Sequence, residues 1–410
     1  MCRTGFRFGR NFPAGSQRRF PVQQNPLNTE EVQETVLAAL SAGKPLELVG
    51  GGSKRFYGRP VKAETTLSLC AFTGVVDHQP EELILVVRPG TPLKELEETL
   101  ARAGQMLAFE PPHWGEGATI GGAFGCNLAG PRRFQAGAAR DHLLGFQAVT
   151  GRGEVIRGGG KVVKNVTGYD LSKLMCGSFG TLAVLTELVV KVLPRPESER
   201  TLLVRGLTED QAVALMSRAA GSANDPSAMA HLPAELSLPA PMGSGPMTLF
   251  RVEGPEPSVA YRAEGVVRMA EGEAETVEGE ASTALWRAVR ELEPVPLRDG
   301  ERLWRFSLPP ADSAAFVAGL RKQHPLRALY DWGGAQVWAC LPVGADTAGL
   351  HQAARDAGGH GRIVRGMAPG GEDVPVFPAL APAQQQLHRN LKNAFDPAGI
   401  LNPGRMYPDF

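Results

Sequence analysis

Three consecutive glycines, Gly50 to Gly52, directly follow the apolar run at residues 45–49. Such a run predicts a short β-strand that ends in a glycine loop. Glycines lack Cβ atoms, so they can adopt positive φ and let several backbone N–H groups converge on an anion, to which Ser53 would add a hydroxyl donor. The segment therefore indicates either a diphosphate loop or a simple turn after a strand.

The two common nucleotide-binding loops do not fit this segment. The dinucleotide motif Gly-x-Gly-x-x-Gly must open a helix, yet the chain runs on to Gly58-Arg59-Pro60, and proline disfavours a helical conformation in the residue before it. A Walker loop needs Gly-Lys and then Ser or Thr after four spacer residues, and that pattern is absent. A diphosphate loop of this chain must therefore belong to another architecture.

Two further loops rich in small residues follow in the N-terminal half. One covers residues 110–122, and the other covers residues 177–181 and leads into an apolar run at residues 182–193. Three such loops within about one domain's length could wrap a single long ligand.

With these loops the chain resembles the vanillyl-alcohol-oxidase/PCMH flavoprotein family, in which FAD lies between two α+β subdomains. The matching segments are residues 50–53, 118–122, 140–141, 144–145, 168–171, 177–181 and 396–404. The resemblance implies an α+β fold of the PCMH type: a two-subdomain FAD-binding domain, a β-α-β cap domain, and a C-terminal tail that returns to the flavin domain.

A narrower resemblance is to the smaller flavin-binding subunits of bacterial multi-subunit glycolate oxidases. It runs from about residue 30 to the C-terminal end and is carried by residues 53–54, 129–133, 164–171, 331–334, 357–360 and 402–406. It implies an FAD-dependent oxidoreductase that acts on the CH–OH group of a 2-hydroxy acid within a complex, oxidising glycolate to glyoxylate. The implied partners are a second FAD-binding subunit and an iron–sulfur subunit.

Changes in composition and proline-containing breaks along the chain predict four segments. Residues 1–28 contain five arginines and no acidic residue, which predicts a disordered basic extension. Residues 29–196 are predicted to form the FAD-binding domain, which ends at Pro194-Arg-Pro196. Residues 197–375 are predicted to form the cap domain, and residues 376–410 to complete the flavin domain.

Local patterns predict several individual elements. Asn28 precedes an amphipathic run that Gly43 closes, which predicts a capped helix. Residues 143–150 and 154–157 are predicted to form a hairpin, and residues 229–246 a loop region. In the cap, strands at 336–341 and 362–364 with a helix at 346–357 predict a β-α-β unit. A last helix is predicted at residues 382–395.

Composition excludes several classes of protein. The 410 residues include 43 basic and 43 acidic side chains, and the resulting net charge of +0 does not suggest a nucleic-acid partner. No apolar stretch is long enough for a membrane span, which predicts a cytoplasmic protein with at most indirect contact to the inner membrane through partners. The five cysteines include no Cys-x-x-Cys pair, so neither a zinc site nor an iron–sulfur cluster is predicted.

The resemblance assigns the FAD contacts to the glycine loops and the tail. The predicted contacts are Gly50, Gly51, Gly52, Ser53, Lys54, Pro111, Thr119, Ile120, Gly121, Gly122, Gly177, Ser178, Gly180, Thr181, Val184 and Asn402. No histidine lies between residues 44 and 77, where some relatives attach their flavin, so non-covalent FAD is expected. His113 and Cys126 remain formal alternatives for a covalent bond.

Catalysis would need a base for the hydroxyl proton and cations for the carboxylate. His360 and Arg362 are the predicted catalytic residues, and Arg305, Asp331 and Arg365 are further candidates. A histidine after a Gly-Gly helix stop could equally be a strand-start residue. The eight histidines are isolated in sequence, unlike the His-x-His cluster of the family's catalytic large subunit.

Three functions therefore stay open. The first is an FAD-binding subunit that works only within the complex, and the second is a free-standing FAD-dependent 2-hydroxy-acid dehydrogenase. The third is a structural subunit without flavin chemistry of its own. Retention of every loop glycine argues against the third, whereas no feature of the sequence separates the first two.

Overall fold

The computed structural model describes residues 22–161, 168–238, 243–271, 274–366 and 374–410. Several predicted features fall partly outside these ranges: residues 1–21 of the basic extension, residues 164–167 of the segments that resemble the glycolate oxidase subunits, residues 239–242 of the predicted loop region, and residues 272–273 and 367–373 of the predicted cap domain. The described chain has an N-terminal part with two main sheets, a large second sheet domain, and a C-terminal tail.

Short strands and helices alternate through the N-terminal part. The strands are β1 (Val22–Gln24), β2 (Leu46–Val49), β3 (Thr65–Ser68), β4 (Val75–Gln79), β5 (Ile84–Val87), β6 (Gln105–Met106), β7 (Leu143–Thr150), β8 (Val155–Gly159), β9 (Ala183–Lys191) and β10 (Leu193–Pro194). The helices are α1 (Thr29–Ala42), α2 (Leu93–Arg102), α3 (Ile120–Gly125), α4 (Arg133–Ala136) and α5 (Leu171–Met175).

These strands form two subdomain sheets. A three-stranded parallel sheet has the order β1-β3-β2, and a five-stranded antiparallel sheet has the order β4-β5-β9-β7-β8. Strands β6 and β10 form a separate antiparallel pair. The predicted hairpin is confirmed as β7 and β8.

Helix α1 forms as its sequence predicts. The Asn28 side chain accepts a hydrogen bond from the backbone N–H of Glu31, and Gly43 ends the helix with a φ of 60°. Val32 and Val36 are fully buried in a core that they share with strand β2. Local capping and one apolar stripe thus place this helix against the strand that leads into the glycine loop.

Strand β1 corrects the predicted disordered extension. Val22 pairs with Thr65 in a parallel register, so ordered structure begins before residue 29. The strand is exposed on both faces, and backbone hydrogen bonding to the sheet edge holds it in place. Side-chain composition carries little signal for such an edge strand, which is why the sequence did not reveal it.

The second domain is built on one eight-stranded antiparallel sheet. Its strands are β11 (Ser198–Arg205), β12 (Ala228–Leu232), β13 (Met247–Gly254), β14 (Ala274–Glu278), β15 (Glu301–Ser307), β16 (Arg327–Asp331), β17 (Gln336–Pro342) and β18 (His360–Arg365). Their order is β14-β11-β13-β12-β16-β17-β15-β18. The helices are α6 (Glu209–Ala220), α7 (Glu256–Met269), α8 (Gly279–Glu291), α9 (Pro310–Arg321) and α10 (Thr347–Asp356).

Strand β12 corrects the loop prediction for residues 229–246. All of its residues, Ala228 to Leu232, are buried, and the strand lies between β13 and β16 in the middle of the sheet. Burial on both faces removes the alternation of apolar and polar residues that marks a half-exposed strand. The small alanines also have low strand propensity, so only the sheet environment defines this strand.

The predicted β-α-β unit is present as β17, α10 and β18. Its two strands are not neighbours, because β15 lies between them and pairs antiparallel with both. As in any β-strand, successive side chains of β15 face opposite sides of the sheet. The Trp304 ring packs on the helical side, 5.1 Å from the His351 ring in α10. Arg305 lies on the opposite face, close to Tyr57 of the N-terminal domain.

The C-terminal tail returns to the glycine loop. Helix α11 (Pro382–Phe395) forms as predicted, and the chain after it runs parallel to β2 through a bridge between Leu46 and Leu401. The buried Lys392 Nζ donates to the Asp396 carboxylate at 2.7 Å and to the carbonyls of Thr181 and Leu401. This tie brings Asn402 to the end of β2.

Candidate functional site

The glycine loop after β2 packs backbone to backbone against the loop at residues 110–122. A Cβ atom on Gly51 would lie 1.7 Å from the carbonyl oxygen of Gly117, and a Cβ on Gly117 would lie 2.5 Å from that of Gly51. Close approach therefore requires glycine at both positions. Of the glycine triplet, only Gly52 adopts positive φ, at 81°. The expected conformational freedom is thus used at Gly52, and Gly51 is needed for a different reason.

The amides of this loop are free to bind a ligand. In the part of the chain that the structure describes, no protein acceptor receives a hydrogen bond from the N–H groups of residues 50–53. The loop is held instead by carbonyls, such as that of Gly52, which accepts from the N–H of Arg55 at 3.1 Å. Free N–H groups on a glycine turn form an anion-binding concavity.

A cleft of about 850 Å³ opens beside these amides. It lies between the two subdomains of the N-terminal part and is closed on one side by the C-terminal tail. Twelve of the sixteen predicted FAD contacts line it, namely Gly50, Gly51, Gly52, Ser53, Lys54, Thr119, Gly121, Gly122, Ser178, Gly180, Val184 and Asn402.

The other four predicted contacts are not among the residues that line the cleft. Ile120 is fully buried in the hydrophobic core, and Pro111 is buried in its loop. The Thr181 hydroxyl donates to the Ser178 carbonyl at 2.7 Å, and Gly177 takes a φ of 86° in the same turn. For these four residues the described contacts support the loops, and their assignment as FAD contacts stays a prediction.

Asn402 connects three parts of the cleft wall. Its Oδ1 accepts from the N–H of Leu48 at 2.8 Å, and its Nδ2 donates to the carbonyl of Phe179 at 2.7 Å. The residue itself adopts a φ of 44°, a conformation that asparagine tolerates better than most residues. The tail thereby fixes the end of β2 relative to the loop at residues 177–181.

Several cleft residues were missed from the sequence. Arg405 is buried and donates to the carbonyls of Arg55 and Arg59, at 2.9 Å and 3.0 Å, so it braces the glycine loop from behind. Gly125 on α3 has no protein atom within 4 Å of the position of a Cβ, so this position is open. Arg405 lies within residues 402–406, which carried the resemblance to the glycolate oxidase subunits, although no role was predicted for it.

Lys54 is buried at the edge of the cleft. Its Nζ donates to the His113 carbonyl at 3.0 Å and to the Ser53 hydroxyl at 3.1 Å, and burial lowers its pKa from 10.5 to about 8. Of the two formal candidates for a covalent bond, Cys126 lines the cleft, and burial raises the pKa of its thiol. His113 does not line it, and its Nε2 lies 3.0 Å from Glu97.

The predicted catalytic residues meet on the cap sheet. Arg362 Nη2 lies 3.3 Å from His360 Nε2, and Arg362 Nη1 donates to the Tyr57 hydroxyl at 3.4 Å. Desolvation, Arg362 and Arg305 together lower the pKa of His360 from 6.5 to about 4. The imidazole is therefore neutral near pH 7 and can accept a proton, although only weakly.

The further candidates occupy the same face of the sheet. Arg305 Nε donates to Gln336 Oε1 at 2.5 Å, and Arg365 stacks on the Phe56 ring at 4.3 Å. Asp331 is buried and accepts from the N–H of Trp332 at 2.8 Å. Burial raises the pKa of Asp331 from 3.8 to about 7.

A buried ionic network joins the cap to the N-terminal domain. Arg251 on β13 donates two hydrogen bonds to Glu110, at 2.9 Å and 3.0 Å, and the backbone N–H of Arg132 donates a third at 2.7 Å. Burial raises the pKa of Glu110, but Arg251 and Arg132 more than offset this effect, and the pKa falls from 4.5 to about 2. The sequence had no signal for this pair, because its members are 141 positions apart.

Metal sites and membrane spans do not occur within the described ranges. No group of three or more His, Cys, Asp or Glu side chains there could hold a metal ion. None of the helices described there is both long enough and apolar enough to cross a membrane.

Comparisons with known proteins agree with this geometry. A family model described as "FAD binding domain" matches residues 24–159, and one described as "FAD linked oxidases, C-terminal domain" matches residues 379–406. The chain is 39% identical to glycolate oxidase subunit GlcE of Escherichia coli over 383 residues, which cover 93% of this chain and 98% of that protein.

Other relatives match over part of their length. Glycolate oxidase subunit GlcD of Bacillus subtilis is 32% identical over 43% of this chain and 38% of its own length. A D-lactate dehydrogenase of Archaeoglobus fulgidus is 33% identical over 47% of this chain and 43% of its own length. Among solved structures, an alkyldihydroxyacetonephosphate synthase superposes with a TM-score of 0.68 at 17% identity, covering 93% of this chain and 75% of that chain.

Proposed function

This chain belongs to the family of glycolate oxidase subunit GlcE, and from that membership we propose that it is the FAD-binding subunit of a glycolate oxidase complex. The complex would oxidise glycolate, a 2-hydroxy acid, to glyoxylate and pass the electrons through flavin. We further propose that this subunit acts in the cytoplasm, with contact to the inner membrane only through its partners.

The observation that carries the proposal is the cleft with its free amides. FAD is an elongated dinucleotide with a central diphosphate, and a concave loop of unpaired N–H groups suits that diphosphate. The loops also leave room for the cofactor, because Gly125 presents no side chain at an open position of the cleft wall. The residues of the cleft therefore fit the group that the family binds.

Bound FAD would supply the redox chemistry by accepting a hydride from the carbon that bears the hydroxyl. The protein would hold the diphosphate through the amides of residues 50–53 and position the cofactor through Thr119, Ser178 and Asn402. We expect non-covalent binding, because no histidine occurs in the glycine loop and His113 is engaged by Glu97.

His360 and Arg362 remain our proposed catalytic residues. Oxidation of the alcohol releases a hydroxyl proton, which His360 could accept, while Arg362 would face the carboxylate. A pKa of about 4 makes His360 a weak base near neutral pH. This weakness is our reason to propose that efficient oxidation depends on the assembled complex.

The proposed partner subunits are those that would accept the electrons from the flavin of this subunit. Iron–sulfur clusters are held by sets of cysteine thiolates, and the four described cysteines, Cys70, Cys126, Cys176 and Cys340, are free and apart in sequence. We therefore propose that electrons leave this subunit for a second FAD-binding subunit and an iron–sulfur subunit.

A second candidate function is a free-standing FAD-dependent 2-hydroxy-acid dehydrogenase. The contact between His360 and Arg362 favours it, because it places a base beside a cation on the cap face. One experiment separates the two functions. The purified chain and the co-expressed complex are assayed for glycolate oxidation with a soluble dye, each as wild type and as His360→Ala.

The complex-dependent function predicts flavin in the isolated chain but little turnover. Equal turnover by chain and complex, abolished by His360→Ala, would replace it with the free-standing dehydrogenase. A folded chain that stays colourless after incubation with FAD would contradict both.

A further inference from the structure

Two arginines lie side by side on the face of the cap sheet that meets the N-terminal domain, and neither forms a salt bridge within the part of the chain that the structure describes. The acidic group that Arg305 does influence is the buried carboxyl of Asp331, whose pKa burial raises and Arg305 in part lowers. Arg305 on β15 and Arg362 on β18 are directly opposite each other in the strand register. Like charges in opposite positions destabilise a sheet. Within the described ranges, the side chains that hydrogen-bond to them are neutral: Gln336 for Arg305, and Tyr57 and His360 for Arg362.

Gln336 adds an unsatisfied donor to this pair. It is completely buried, its Oε1 accepts from Arg305, and its Nε2 has no hydrogen-bond partner among the described residues. Trp338 follows two positions later and so lies on the same face. Its side chain is 4% exposed, and its Nε1 likewise lacks a partner. Buried donors are almost always paired in proteins, so two neighbouring exceptions require an explanation.

The surroundings hold the Arg305 guanidinium in place without neutralising it. The rings of Trp332 and Trp338 lie 5.0 Å and 5.6 Å from its carbon atom. Burial, and then the nearby Arg362 and Arg133, lower the pKa of Arg305 from 12.5 to about 10. Burial is the larger cause, and the two neighbouring arginines add to it.

Arg305, Arg362, the Gln336 Nε2 group and the Trp338 Nε1 group are all hydrogen-bond donors, and the two arginines add positive charge. Tyr57 and His360 are the neighbouring acceptors. A planar carboxylate offers two oxygens that pair with a guanidinium and still accept from further donors. Gln336 and Trp338 are buried, whereas Arg305 and Arg362 keep partial exposure to solvent.

We propose that Arg305, Arg362, Gln336 and Trp338 bind the carboxylate of a small organic acid, so that this subunit has a substrate-binding site of its own. This inference rests on the proposed function for the identity of the acid, which would be a 2-hydroxy or 2-oxo acid. That the ligand is a carboxylate is inferred from the hydrogen-bond donors alone. A carboxylate held there would lie beside His360 and, by its charge, would make that imidazole a better base.

The test uses the full chain loaded with FAD and titrated with sodium oxalate in a calorimeter. Oxalate has two carboxylates but no C–H bond to oxidise, so binding is measured without turnover. The variants are Arg305→Met and Gln336→Leu. Arg298→Met, at an exposed position outside the cluster, is the matched control.

We expect oxalate binding by the wild type and by Arg298→Met, with about tenfold or greater loss in Arg305→Met and Gln336→Leu, as for removal of a charge-assisted hydrogen bond. Sodium chloride at matched ionic strength should not compete, and inorganic phosphate should compete more weakly than oxalate. Absence of oxalate binding by the folded wild type, or equal affinity in all variants, would overturn the site.

Gln336→Glu gives an independent measurement if Arg305→Met fails to fold. This change places a carboxylate beside Arg305, so oxalate binding should be lost while the melting temperature rises. A Gln336→Glu protein that still binds oxalate would contradict the proposal. Flavin absorbance is recorded throughout, because a colourless wild type that binds oxalate would refute the FAD proposal and leave the anion site standing.

Discussion

Replacement of Glu110 by glutamine should loosen the attachment of the cap to the N-terminal domain. Glutamine keeps the size of the side chain but removes the charge that pairs with Arg251 and Arg132. The Arg251 side chain is 2% exposed, so its charge would stay buried with Glu253, at 3.5 Å, as its remaining carboxylate partner. Removal of one member of a buried ion pair typically costs about 3–5 kcal/mol, and the presence of Glu253 places the expected cost at the lower end, about 3 kcal/mol.

The pKa of Glu110 gives a second measure of the same effect. A fall from 4.5 to about 2 corresponds to roughly 3 kcal/mol of folding free energy, at about 1.4 kcal/mol per unit. Because the folded pKa is depressed, this contribution is fully present above pH 4.5 and is lost as the pH falls toward 2. The wild type should therefore exceed Glu110→Gln in the free energy of unfolding near pH 7, and the difference should shrink in that acidic window.

Urea unfolding followed by tryptophan emission provides the measurement. Trp286 lies 4.9 Å from the Arg251 guanidinium, so its emission should report loss of the network. Glu64→Gln serves as the control, because Glu64 pairs with Lys44 with its side chain 78% exposed, and exposed pairs contribute about 1 kcal/mol or less. A Glu110→Gln protein within roughly 0.5 kcal/mol of the wild type at pH 7, or a difference independent of pH, would refute the reasoning.

Three further predictions concern the flavin cleft. Gly125→Leu should lower FAD occupancy while the melting temperature of the cofactor-free chain stays unchanged, because a Cβ at this position of the cleft wall has no protein atom within 4 Å; full occupancy measured by flavin absorbance would contradict this. Gly51→Ala should lower both FAD occupancy and the melting temperature of the cofactor-free chain, since its Cβ would collide with the Gly117 carbonyl. A variant that keeps its melting temperature but binds no flavin would mean that the Cβ collides with the bound FAD and not with Gly117. Acid precipitation of the yellow protein should release intact FAD into the supernatant, and flavin remaining with the precipitate would point to a covalent bond, with Cys126 as the first residue to replace.

Local signals in the sequence were sufficient for several elements of the fold. The Asn28 cap and Gly43 stop define helix α1, and the strand that ends in the glycine triplet is β2. These features depend on groups a few residues apart, whose interactions are the same in most folds. The resemblance to the flavoprotein family also identified twelve residues that now line one cleft.

Other features depended on contacts between distant residues. Gly51 needs to be glycine because the backbone of Gly117 lies against it, which no local rule could show. Strand β12 is defined by strands on both sides of it, and β1 by its pairing with an edge. In each of these cases the residue's own chemistry permits several conformations, and packing selects one.

The sequence by itself thus determined the local turns, caps and loops that a diphosphate needs. The tertiary structure alone decided which polar and charged groups meet, because Leu48 and Asn402 are 354 positions apart and Glu110 and Arg251 are 141 positions apart. The energy of a charge depends on its burial and its neighbours, and both are set by how the sheets pack. For this reason the sequence could name Arg305 and His360 as candidates, whereas only the folded chain reveals the unpaired donors that surround them.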